Sequence, residues 1–75
     1  MEETMETVQI KLREDYIKLG QALKAAGIAQ SGVDAKYMIQ DGTVMVNGAP
    51  ELQRGKKLYD GDVVLCGDVK IEILK

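Results

Sequence analysis

Between residues 8 and 13 apolar and polar side chains alternate, Val8, Ile10 and Leu12 against Gln9, Lys11 and Arg13. A period of two predicts a β-strand with one buried face. From Tyr16 the period lengthens. Leu19, Ala22, Leu23 and Ala26 fall at i, i+3, i+4 and i+7, one stripe of an α-helix. Gly27 offers a left-handed stop, with Ile28 folding back on the last turn. A second helix is announced by Ser31, a good N-cap, and by Asp34, which favours the positive end of the helix dipole. Ala35, Met38 and Ile39 form its inner face, and Gly42 its C-terminal stop. Each helix is expected to span about 11 residues, and the short connection between them makes them neighbours.

The remaining pattern is strand and turn. Val44 and Val46 alternate up to the Asn47-Gly48 turn, and "YDGD" makes another turn into "VVLC". Gly67-Asp68 reverses the chain into "VKIEIL", where Val69, Ile71 and Ile73 share a face. The expected fold is α+β, with two short adjacent helices packed on a small antiparallel sheet of about four strands. Residues 1–6 show no periodicity and read as a frayed end, which leaves residues 7–75 as a single domain.

Composition narrows the chemistry. With 45% hydrophobic and 29% charged residues, the chain reads as an ordinary soluble globular domain. No apolar run is long enough to span a membrane and no signal-peptide pattern opens the chain, so a cytoplasmic location without a membrane partner is expected. A single cysteine and the absence of histidine exclude an intrachain disulfide and the usual zinc sites. Cys66 lies in the apolar run "VVLCG" and reads as an inert, buried thiol. Ser31, the only serine, is accounted for as a helix cap, and Asp60 and Asp62 flank a turn glycine. "GTVMVNG" lacks the consecutive lysine and Ser/Thr that close a phosphate loop, and its two glycines bracket a strand. No catalytic constellation remains, so the expectation is a non-enzyme with no cofactor, metal or small-molecule substrate.

The charge pattern points to a different class of partner. The net charge is −2, yet the first fifteen residues hold five acidic against two basic side chains, and the other sixty hold seven against eight. A positive face is therefore compatible with the total. Lys18 and Gln21 point away from the first apolar stripe, and Lys36 away from the second. The start of the second helix, uncrowded at Gly32, offers free N–H groups. Arg54, Lys56 and Lys57 follow the turn in "QRGKK". Gly20, inside the first helix, costs about 1 kcal/mol relative to alanine and so implies close packing or access for a partner. With three tyrosines and neither Phe nor Trp, an extended base-stacking platform is not expected.

The run "IKLGQALKAAGIAQSGVDAKYMIQDGTVMVNG" resembles the alpha-L RNA-binding motif, first described in the small-subunit ribosomal protein S-four. The shared pattern comprises Lys18-Leu19, Leu23, Gly27-Ile28 with Ser31, Ala35 with Ile39 and Gly42, and Val44, Val46, Asn47 and Gly48. "GDVV" at 61–64 continues it, so the resemblance covers residues 16–65. Two positions depart from the pattern. Gly20 stands where the family often has aspartate, and Gly32 where arginine often follows the serine. Small stand-alone bacterial members are more similar still, sharing "KLGQ", "SG" and "RGKKL".

The resemblance implies the alpha-L fold and binding of structured RNA, ribosomal or transfer, with ribosomal particles as a possible setting. The RNA-binding residues expected on this basis are Lys18, Gln21, Lys24, Ser31, Gly32, Lys36, Asn47, Gln53, Arg54, Lys56 and Lys57. The basic run of the loop is expected to replace the missing helix arginine. Two other readings stand beside this one. A protein-interaction module could keep the fold with a weakened RNA face. A β-grasp sulfur carrier shares some turns, but such carriers end in Gly-Gly and this chain ends "EILK".

Overall fold

Both helices end at the glycines that the sequence marks as stops. In a computed structural model describing residues 6–75, Gly27 and Gly42 take φ of +79° and +81°, conformations that side chains other than glycine's rarely adopt. The elements in chain order are β1 (Glu6–Lys11), β2 (Ile17–Lys18), α1 (Leu19–Ala25), α2 (Gly32–Gln40), β3 (Val44–Val46), β4 (Ala49–Pro50), β5 (Lys57–Leu58), β6 (Val63–Cys66) and β7 (Val69–Leu74). Of the segment expected to fray, residues 1–5 lie outside the described residues, and Glu6 opens β1.

The sheet corrects the expected topology. It has five strands in the order β1-β7-β6-β3-β4, and β2 and β5 form a separate antiparallel ribbon. Moreover it is mixed, because β1 runs parallel to β7 while the other pairs are antiparallel. Alternation tells which face a strand buries but neither its direction nor its neighbour. The tight turn at Gly67 makes β7 antiparallel to β6 and leaves the outer edge of β7 free. On that edge β1 sets Val8 beside Ile71 and Ile10 beside Ile73, which keeps the apolar side chains on one face. A parallel pair needs a long connection, and the intervening chain with its two helices supplies it.

The helices are also shorter than expected, seven residues in α1 and nine in α2. Tyr16 to Lys18 do not join α1. Ile17 and Lys18 pair instead with Leu58 and Lys57, and Lys18 is extended at φ −78°, ψ 148°. At the start of α2, Ser31 Oγ accepts the Asp34 N–H at 3.2 Å, the cap its sequence predicts.

Leu19 and Leu23 from α1, Ile39 from α2, Leu58 from β5 and Val44, Val64, Ile71 and Ile73 from the large sheet are fully buried together. Each such side chain contributes roughly 1.5–3 kcal/mol by leaving water. Met38, expected on the inner face of α2, is only half-buried; Ala35 and Ile39 carry that contact. Cys66 is buried, and burial pushes its thiol pKa up. No helix among the described residues is long and apolar enough to cross a membrane.

Candidate nucleic-acid interface

The first N–H groups of a helix lack partners within it, and in α1 two of them are taken by the loop that precedes β5. Leu19 N–H donates to the Lys56 carbonyl at 2.8 Å, and Gly20 N–H to the Arg54 carbonyl at 3.0 Å. These bonds hold the basic loop against the start of α1. They also lay the Arg54 side chain across Gly20. A Cβ built at position 20 would lie 2.6 Å from Arg54 Cγ and 3.2 Å from its Cδ. Beyond that point the Arg54 guanidinium donates from Nη1 to the Gly32 carbonyl at 3.5 Å, a long contact. One arginine from the loop thus spans the two positions at which the chain departs from the alpha-L pattern. Gly20 serves close packing, but against a loop side chain rather than another helix.

Around this arginine lies a groove of about 300 Å³ lined by Lys18, Gly20, Gln21, Lys24, Gly32, Arg54 and Gly55. It carries three cations and no carboxylate. The ion pairs among the described residues lie elsewhere, Lys70 with Glu72 at 3.6 Å and Lys75 with Asp15 at 2.9 Å. Several other carboxylates accept backbone N–H groups, two in local turns and one at the end of the chain. Asp62 accepts from the Tyr59 N–H at 2.7 Å, Glu51 from the Gln53 N–H at 3.1 Å, and Asp60 from the Lys75 N–H at 2.9 Å. Among the described residues no acidic side chain therefore neutralises the cations of the groove or meets an anion entering it.

The β2–β5 ribbon adds to this field. Lys18 and Lys57 face each other directly across it, an arrangement that disfavours strand pairing when both are charged. Lys57 Nζ sits 4.8 Å from the centroid of the Tyr16 ring, a cation–π contact that offsets about 0.5–1 kcal/mol of that repulsion. Tyr16 in turn packs at 5.9 Å, tilted, against Tyr59.

Of the residues expected to bind RNA, the groove gathers Lys18, Gln21, Lys24, Gly32 and Arg54. Gln53 and Lys56 are exposed in the same loop, and Lys57 follows on the ribbon. Ser31 and Lys36 are exposed on α2 and its cap and do not line the groove. Asn47 is committed differently. Its Nδ2 donates to Asp62 at 3.1 Å, its Oδ1 accepts the Val63 N–H at 2.9 Å, and its own φ is +52°. Both ends of the amide thus join the β3–β4 turn to the start of β6. Two glycines that line the groove, Gly20 and Gly55, were not among the expected site residues. Their contribution is the absence of a side chain, which no motif of charged groups reveals.

Residues 10–74 match the S4 domain family. A Bacillus subtilis (strain 168) protein named probable ribosome maturation protein RlbA is 47% identical over 55 residues, which is 73% of this chain and 78% of that protein. The solution structure of Escherichia coli YbcJ, described as revealing an alfaL motif involved in RNA binding, matches with a TM-score of 0.68 and 27% identity. That match covers 97% of this chain and 91% of YbcJ, so the alpha-L fold expected from the sequence is the fold observed.

Proposed function

The chain belongs to the S4 domain family, and on that premise we propose that it is a small, non-catalytic protein that binds structured RNA through phosphate contacts. The observation that carries this reading is the groove crossed by Arg54, with three cations, no acid and an exposed basic loop at its rim. Phosphates would lie along Lys18, Lys24 and Arg54, with Lys56 and Lys57 extending the track. Side chains fixed on helices and a ribbon recognise the shape of a folded backbone rather than a base sequence.

Ribosomal RNA is the first choice of partner, with transfer RNA second, and the cytoplasm is the place of action. The name of the Bacillus subtilis relative and the description of YbcJ support this choice. The reading is tested by sequencing RNA crosslinked to the protein in cells, for the wild type and for a chain with Arg54, Lys56 and Lys57 replaced by alanine. Enrichment of ribosomal RNA, reduced roughly tenfold or more in the triple variant, is expected from three lost phosphate contacts. Equal recovery from both proteins would remove the loop from the interface.

A further inference from the structure

Helix α1 is a ridge between two grooves. Gly20 and Lys24, one turn apart, face the groove crossed by Arg54. Ala25 lines a second groove, of about 360 Å³, on the other flank, and Gln21 lines both. The second groove differs in chemistry from the first. Leu12, Ile17, Ala25 and the Tyr16 ring give it an apolar floor, while Lys11 and Arg13 supply a cationic rim. Among the described residues Glu14 is the one acid that lines it, and neither Lys11 nor Arg13 has an ion-pair partner. Tyr16 remains 38% exposed even with Lys57 over its ring and Tyr59 beside it.

A paired strand turns its phosphates outward and its bases inward, so it has no use for an apolar floor beside a cationic groove. An unstacked nucleotide has. Its flat base needs an apolar or aromatic surface, and its flanking phosphates need charge within reach. We propose that the second groove takes an unpaired nucleotide that continues, over Gln21, from the RNA held in the first groove. The base lies on the floor against Tyr16, and the phosphates lie near Lys11 and Arg13. This rests on the RNA reading of the first groove and sharpens it, since the partner becomes folded RNA with a single-stranded extension or bulge. The three tyrosines make no platform for several bases, but one half-exposed ring beside an apolar floor suffices for one.

The test measures fluorescence anisotropy of the full chain with a blunt RNA hairpin and with the same hairpin carrying a short unpaired uridine tail at its 5′ or 3′ end. In the wild type a tail at one end should raise affinity about tenfold, the scale of one stacked base. The ratio of tailed to blunt affinity should fall to about one in Ala25→Glu, which places a carboxylate on the floor from an exposed helix position, and in Tyr16→Ala. Tyr16→Phe should keep the ratio. Arg54→Ala should weaken both hairpins alike and leave the ratio intact. Equal affinity for blunt and tailed hairpins overturns the proposal and leaves the second groove to a protein partner. Binding to neither hairpin overturns the RNA reading itself.

Discussion

Arg54 crosses α1 at Gly20 because position 20 has no side chain to obstruct it. The stem of Arg54 would meet a Cβ there at 2.6 Å, so even alanine must push the arginine away from the Gly32 carbonyl. Gly20→Ala is therefore expected to weaken RNA binding about as much as Arg54→Ala, roughly tenfold for one charge-assisted contact. The double variant should be hardly weaker than either single one, and a binding cycle over the four proteins checks this. Fully additive losses would show that the two positions act separately. Asn47 makes the opposite case, as its role is internal. Asn47→Ala removes two hydrogen bonds and the residue type that tolerates φ of +52°, and should lower unfolding stability by about 1–2 kcal/mol. Chemical denaturation measures that loss, and RNA affinity of the folded variant should stay close to wild type.

The periodicities of the chain were enough to locate both helices, their glycine stops, the Ser31 cap and the strands β3, β6 and β7. Those signals are local. Whether β1 runs parallel to β7 depends on which sheet edge remains open after the rest has folded, and alternation carries no trace of that. The β2–β5 ribbon was hidden for a related reason. Ile17 and Lys18 are too few to show an alternation of their own and run directly into the helical stripe of residues 19–26, but the loop carbonyls of Arg54 and Lys56 claim the first N–H groups of α1 and hold the preceding residues extended. The candidate site was half legible in the same sense. Its cations were visible as charges, whereas the crossing of Gly20 by Arg54 joins residues more than thirty positions apart.

Two features of the sheet give expectations of their own. Cys66 is buried in β6 with its thiol pKa raised by that burial, so alkylation at mildly alkaline pH should be at least about tenfold slower in the native chain than in denaturant. Near-equal rates would mean that β6 opens readily. Near the sheet, hydrogen bonds from Lys75 to Asp15 and from Gln9 to Glu72 hold both carboxyls below their ordinary range. A carboxyl with a lowered folded pKa stabilises the protein above its unfolded value, about pH 4, and that contribution is lost as pH falls through the folded pKa. Asp15 is exposed and Glu72 is half-buried at the sheet surface, and solvent screening keeps the effect small. Denaturation midpoints should decline below about pH 4, and less steeply in a Gln9→Ala, Lys75→Ala double variant.

Over the molecule as a whole, a net charge of −2 coexists with a face whose cations are unpaired among the described residues. Asp34, Glu51, Asp60 and Asp62 accept backbone N–H groups, and among the described residues the groove around Arg54 is left positive. Such a protein should bind RNA moderately and with marked sensitivity to salt, because each neutralised phosphate releases counterions. The most direct measurement is the salt dependence of affinity for ribosomal RNA, compared between wild type and Arg54→Ala. A log–log slope of roughly −3 to −5 is predicted for the wild type, reduced by about one in the variant. A slope near zero, or an identical slope in both proteins, would contradict the account.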